Sequence, residues 1–341
     1  MKRSNTSNTE RRRFLVYVTG DRIGDGLLKY PVLKTFRLAV PEAQLIWVTG
    51  RNPSIFKRRL APLADGLIDE IHECCGLGET LFQPIPEGLR SKFDVVVCTE
   101  SRLRAALQLR RLSTSLFICP ALRFRLSARA PQTDFIAASS YERFRLLMEL
   151  AAGKELVVEP RIEVAAPFVG EAARRLPGSH IYVGLSPGAG GASKRWPLRN
   201  FIGLGRLLAK RGIVPAFFLG PEELAFEAGI REALPSAVFP ERMDGSAMED
   251  SPMLTIALAR RMAFSVANDS GGGHLIAAGG QPLLTLYGHT SANKFRSPYC
   301  DHYALSAEEK QYRSLEELTL PMVEAHLHEI GFLSPVTRAL A

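Results

Sequence analysis

Hydrophobic and polar positions follow two rhythms along the chain. Four short runs are apolar at nearly every position: "FLVYV" (14–18), "QLIWVT" (44–49), "FDVVVC" (93–98) and "SLFIC" (115–119). Strands covered on both faces of a parallel sheet read this way, without alternation. Between them apolar residues return at helical spacing, as in Leu27, Leu28, Val32, Leu33 and Phe36. The stretch "SSYERFRLLMELAA" (139–152) predicts a helix that closes the series. Residues 159–178 then lose both rhythms and carry three prolines, the signature of a crossing between domains.

A second series begins at "IYVGLS" (181–186). A helix with a glycine stop follows (197–212), then "VPAFFLG" (214–220), and helices at 222–234 and 253–261. The strand "AFSVAND" (263–269), the short helix "GGGHLIAAGG" (271–280) and the strand "QPLLTLYG" (281–288) complete it. The expected class is α/β, with two Rossmann-like halves whose parallel sheets face a cleft. The expected divisions are a disordered basic tail at 1–13, a first domain at 14–165, a linker at 166–178, a second domain at 179–325 and a C-terminal tail or helix at 326–341.

Composition narrows the function. At 341 residues, 46% hydrophobic and 23% charged, the chain fills two cores. No stretch approaches the roughly 18 apolar residues of a membrane span. The apolar run behind the basic N-terminus has five residues, short of the roughly 7–15 of a secretory signal, so a cytoplasmic protein is expected. Five cysteines without C-x-x-C spacing read as reduced thiols.

The net charge of +8 is uneven: +4 lies in residues 1–13, +4 in 14–165 and none in 166–341. Seven arginines and no acid lie between Ser101 and Thr133. They form either a solvated face or a contact for an anion, a phosphorylated substrate or an acidic membrane surface. Arg102, Arg104, Arg123 and Arg125 are the candidates for holding such a partner. No aromatic platform or helix-turn-helix pattern accompanies them, so nucleic acid is not expected.

Three turns carry candidate chemistry. "GDRIGDGLLKYP" (20–31) follows the first strand, but its glycines at 20, 24 and 26 have the wrong spacing for a dinucleotide fingerprint. Arg51 stands where that fold needs an acid, and no P-loop lysine follows. What remains is Asp25 opening a helix at a strand's carboxyl end, either as a helix cap or as a carboxylate presented to a ligand. Asp21 reads as a turn residue. In "LSPGAGGASKRWPLRNF", Ser186 ends a strand, small residues beginning at Gly188 let backbone amides approach a phosphate, and Lys194 supplies a cation. In "VANDSGGGHLIAAGG", Asp269, Ser270 and Gly271 begin a helix over a glycine-rich turn, an anion site by its free amides. Asp269 reads as a cap or as a grip on a sugar hydroxyl. His274, one turn in, reads as a structural residue or as a hydrogen-bond partner of a diphosphate or leaving group. No two of the ten aspartates are spaced D-x-D, and His326 and His328 point to different helix faces, so neither a metal nor a cofactor is expected.

Together, "RIGDGLLKYPVLKTFRLAVPEAQLIWVTG", "PGAGGASKRWPLRNF" and "NDSGGGHLIAAGGQPLLTLYG" resemble glycosyltransferase family 9, the heptosyltransferases of lipopolysaccharide inner-core assembly, over about residues 14–300. The resemblance implies a two-domain GT-B fold and inverting, metal-independent sugar transfer. The donor, ADP-heptose, is held by the second domain, and an anionic glycan or glycolipid acceptor by the first, with peripheral contact at the cytoplasmic face of the inner membrane. It places the catalytic aspartate at Asp25 and the phosphate-binding lysine at Lys194. The donor contacts fall at Asp269, Ser270, Gly271 and His274, and a ribose contact at Glu222 or Glu223. The sequence departs from the family pattern at Gly272, Gly273 and His289. Two other readings are a GT-B sugar-nucleotide epimerase or hydrolase, and a silent glycosyltransferase-like binding protein.

Overall fold

The computed structural model describes residues 11–333 apart from 244, 246, 247 and 250. Most of the expected basic tail, and residues 334–341 of the expected C-terminal segment, lie outside the described residues. The chain divides into two compact units. The first comprises Met1–Ala138 with Glu142–Glu159, and the second Ser139–Tyr141 with Pro160–Ala341.

The first unit is built from β1 (Arg13–Val18), α1 (Ile23–Ala39), β2 (Gln44–Thr49), α2 (Ala61–Ala64), β3 (Glu70–His72), β4 (Phe93–Cys98), α3 (Leu103–Leu109), β5 (Thr114–Ile118) and α4 (Ser140–Ala152). Its five strands form a parallel sheet in the order β3-β2-β1-β4-β5. The uninterrupted apolar runs are explained by burial: Phe14 to Tyr17 and Val95 to Val97 are fully enclosed.

The second unit contains α5 (Ala166–Arg175), β6 (Tyr182–Ser186), α6 (Leu198–Lys210), β7 (Val214–Phe217), α7 (Glu227–Ala233), α8 (Pro252–Ala259), β8 (Met262–Asn268), α9 (Gly271–Ala277), β9 (Leu283–Tyr287), β10 (His302–Ser306) and α10 (Leu320–Glu329). Its parallel sheet runs β10-β9-β8-β6-β7.

Three boundaries differ from the sequence reading. Residues 166–175 are not a linker but helix α5, whose Ala172 joins a buried cluster with Leu254, Ala257 and Leu258 of α8; Pro167 sits in the first turn, where its missing N–H costs nothing. The division falls instead between Glu159 and Pro160. The expected boundary after 325 falls inside helix α10, the helical alternative of the reading, whose Val323 and Leu327 are buried in the core of the second unit with Leu208 and Phe264. The expected helix at 222–234 begins as a 3-10 turn over Pro221–Phe226, and α7 starts only at Glu227.

In each sheet the chain first builds outward on one side and then returns to the other. The reversal lies between β1 and β4 in the first unit, and between β6 and β8 in the second. At such a point the two crossovers leave in opposite directions and open a crevice at the carboxyl ends of the strands, where ligands of open α/β sheets bind.

Candidate functional site

In the first unit, the carboxyl end of β1 leads into the turn that carries Asp21 and Asp25. Helix α1 begins at Ile23, so Asp25 is the third helical residue rather than the cap. Its Oδ2 accepts a hydrogen bond from the Arg22 amide at 3.1 Å, half of a capping box. One carboxylate oxygen thus fixes the helix start, and Oδ1 takes no hydrogen bond among the described residues.

Asp21 lies in the turn before α1, as read, and it is buried. Its Oδ2 accepts from Trp47 Nε1 at 2.8 Å and Ser54 Oγ at 3.2 Å, and its Oδ1 pairs with the Lys29 ammonium. The Lys29 side chain is only 16% exposed. Burial alone depresses its pKa, but the charges of Asp21 and Asp25 outweigh burial and hold it above the ordinary value. Lys29 therefore stays charged, one helical turn beyond Asp25. Sequence reasoning missed this pair, since Asp21 precedes α1 and lies eight positions from Lys29, outside the i, i+4 spacing that marks a helical pair.

Across the strand reversal, Arg102 donates from Nε to Glu100 Oε2 (3.2 Å) and from Nη2 to Thr19 Oγ1 (2.8 Å), bridging the ends of β4 and β1. The other three acceptor candidates do not join it. Arg104 and Arg125 are exposed, Arg104 lying on the outer face of α3. Arg123 lines a separate cavity beyond β5.

In the second unit, the two candidate turns meet. Lys194 Nζ donates to Asp269 Oδ2 at 2.7 Å; Asp269 is nearly buried, while the lysine side chain is 40% exposed. Asn268 locks the turns together: its Nδ2 donates to Pro187 O (2.7 Å), and its Oδ1 accepts from the Trp196 amide (3.1 Å). Arg195 folds back onto Ala189 O through Nε and Nη2 at 3.1 and 3.0 Å. Ser270 caps α9, its side chain accepting from the Gly273 amide at 3.1 Å. The amides of Gly271 and Gly272 take no acceptor among the described residues. A side chain at position 273 would put its Cβ 2.9 Å from Asn268 O, a backbone clash, whereas at position 272 the nearest atom is the Ser186 hydroxyl at 3.1 Å. The departure at Gly273 is thus required by the close turn; that at Gly272 widens the space beside Ser186.

Glu222 and Glu223 differ in their surroundings. Glu222 is exposed, while Glu223 is buried against the first turn; a Cβ on Gly188 would lie 2.7 Å from its carboxyl carbon. Burial lifts the Glu223 pKa, and Arg195, 4.0 Å away, opposes the shift. His274 shares a small cavity with Asp269, Ser270, Tyr287 and His302. His302, absent from the sequence reading, accepts from the Ser297 amide through Nδ1 (2.8 Å), so its Nε2 bears the proton and donates to Thr285 Oγ1 (2.8 Å). Burial, with His274 and Arg296 nearby, pulls its pKa down to about 4. His289 is exposed and bonds to Arg313 O at 2.7 Å. Among the described residues no group of three or more His, Cys, Asp or Glu side chains could hold a metal ion, and no helix is long and apolar enough to cross a membrane.

Two doubly wound units, with polar groups gathered at each strand reversal, define a protein of the GT-B class. The sequence pattern of glycosyltransferase family 9 (heptosyltransferase) matches residues 85–322, and the chain belongs to this family. Lipooligosaccharide heptosyltransferase 2 of Haemophilus influenzae is 32% identical over 139 residues, which is 40% of this chain and 39% of that protein. The matched segment thus spans about two fifths of that relative. A family 9 glycosyl transferase from Veillonella parvula superposes with a TM-score of 0.68 at 18% identity, over 94% of this chain and 97% of the other. Escherichia coli heptosyltransferase WaaC with ADP gives 0.61 at 19% identity, over 93% and 97%.

Proposed function

We propose that the protein transfers a heptose-type sugar, with inversion and without a metal, from ADP-heptose to an anionic acceptor of the lipopolysaccharide-core kind. Family membership supports the reaction class. The E. coli relative of the same fold has been solved with ADP and with ADP-2-deoxy-2-fluoro heptose, which supports the donor. The observation that carries the reading is the half-exposed Lys194 held on buried Asp269 beside the open amides of Gly271 and Gly272. A diphosphate is the ligand such a turn suits.

In the proposed step, the acceptor hydroxyl oxygen bonds to the anomeric carbon as the bond from that carbon to the diphosphate oxygen breaks. The hydroxyl proton passes to Asp25 Oδ1, which no protein hydrogen bond occupies. A carboxylate is a weak base towards a sugar alcohol, so its help grows as the transition state acidifies the hydroxyl and is worth roughly 10²–10⁴ in rate. Lys194 and the two glycine amides meet the charge on departing ADP. In this reading Glu223 holds the ribose, and Arg102 meets the acceptor's acidic groups. We place the reaction in the cytoplasm, at the inner face of the membrane that carries the acceptor.

The test is product analysis of the purified protein with ADP-heptose, with and without a lipopolysaccharide-core acceptor. Glycosylated acceptor with equimolar ADP, formed only when both substrates are present, is expected. ADP released without acceptor would mark a hydrolase, and an isomerised sugar nucleotide an epimerase. A thermal-shift series over ADP-, UDP- and GDP-sugars fixes the base, because the tightest ligand raises apparent stability most.

A further inference from the structure

Beyond β5 the chain does something the reaction does not require. Leu122, Arg123 and Phe124 take φ of 51°, 55° and 65° in succession. Side-chain-bearing residues in the left-handed region are strained, and such strain persists where the surroundings enforce it. This turn forms one wall of a cavity of about 720 Å³, within the size range of small-molecule sites.

The walls are mainly apolar: Pro120, Leu122, Phe124, Pro131, Phe135 and Ile136. Phe124 and Phe135 pack edge to face at 5.0 Å, while Leu122 and Ile136 remain 52% and 60% exposed at the rim. Two cations stand among them. Arg123 lines the cavity. Arg143 lies over the Phe135 ring at 5.6 Å and donates to Ile136 O, and its enclosed Nε meets no acceptor among the described residues. The lining carboxylate, Asp134, has one oxygen engaged by the backbone: its Oδ1 accepts from the amides of Ile136 (2.9 Å) and Ala137 (3.3 Å). Ser101, next to the Glu100–Arg102 bridge, also lines the space, so the cavity stands on the same sheet edge as Asp25.

We propose that this cavity receives the apolar chain of an amphipathic anion, with the charged head against Arg123 and Arg143. A sugar ring would leave hydroxyls unpaired against such walls, at a cost for each; an alkyl or acyl chain has none to lose. The inference deepens the transferase reading, on which it rests only for the identity of the chain-bearing molecule: the lipid part of the acceptor.

Calorimetric titration of the full chain with decyl, dodecyl and tetradecyl phosphate, below their micellar concentrations, tests it. One saturable site is expected, its affinity rising roughly threefold to fourfold per methylene. Ile136→Asp, at an exposed position the fold does not depend on, should lower affinity at least tenfold. Arg123→Asn, which tolerates the left-handed backbone, should lower it about tenfold whatever the chain length. Phe82→Asp alters a side chain 90% exposed on a different turn and should change nothing. Affinity independent of chain length, or lost equally in Phe82→Asp, would mean adsorption on exposed apolar surface and overturn the proposal. In transfer assays Ile136→Asp should raise KM for an acylated acceptor and leave transfer to the deacylated one unchanged. Failure of all transfer would refute the transferase reading while the titration still decides the cavity.

Discussion

Each unit carries one buried aspartate paired with a lysine at its strand reversal, and the two pairs are built for different ends. Asp21 and Lys29 are both enclosed, with Trp47 and Ser54 completing the carboxylate's hydrogen bonds. Asp269 is equally deep, but its partner Lys194 comes from a turn 75 positions away and keeps 40% of its side chain in solvent. The first pair is closed and fastens α1 to β2. The second is open, with an ammonium that is oriented by one anion and able to meet another. Exposure of the cation, rather than its identity, separates scaffold from site.

The comparison breaks most visibly in stability. Asp21→Ala strands the Lys29 charge in a closed environment and should cost about 3–5 kcal/mol in urea unfolding. Lys194→Ala, whose position water reaches, should cost much less; equal losses would erase the distinction between the pairs. The next effect sharpens the account of the second unit. Folded His302 titrates at about 4 and the unfolded side chain at 6.5, so the unfolded state takes the proton first. Stability from this group is complete above pH 6.5, falls as pH drops towards 4, and changes no further below that. The loss is on the order of 3 kcal/mol. Unfolding of His302→Gln followed over the same window should show that slope flattened; an unchanged slope would place the titration elsewhere. A smaller effect concerns the open pair itself. Lys194→Ala should weaken ADP binding tenfold to a hundredfold by calorimetry, the loss of one charge-assisted hydrogen bond, whereas unaltered affinity would remove the lysine from the donor site.

The interior strands were legible because burial on both faces leaves an unbroken apolar record. Two strands left no such record, β3 ("EIH") and β10 ("HYALS"); both are sheet edges, but the opposite edges β5 and β7 kept apolar runs, so the loss lies in the short length or polar residues of these two. An edge strand is covered less completely and can keep polar residues. The candidate turns were legible from small residues next to charge, and the two in the second unit do converge. The partner of each aspartate was not, since Lys194 and Asp269 meet only once β6 and β8 lie side by side. Asp21 was legible as a turn residue but not as a buried one, for the same reason: its partners Trp47 and Ser54 are brought to it by the sheet and the turn after β2. The different burial of Glu223 and Glu222 likewise needed the backbone, because adjacent residues of a 3-10 turn point in different directions.

The most direct test of the central claim, that Asp25 serves both as a helix anchor and as the base, is the single-turnover transfer rate of Asp25→Asn. Asparagine keeps an oxygen for the Arg22 amide, so folding and ADP affinity should stay near those of the parent protein. The rate should fall by roughly 10²–10⁴. A rate within a few-fold of the parent, from a variant that binds ADP normally, would contradict the account.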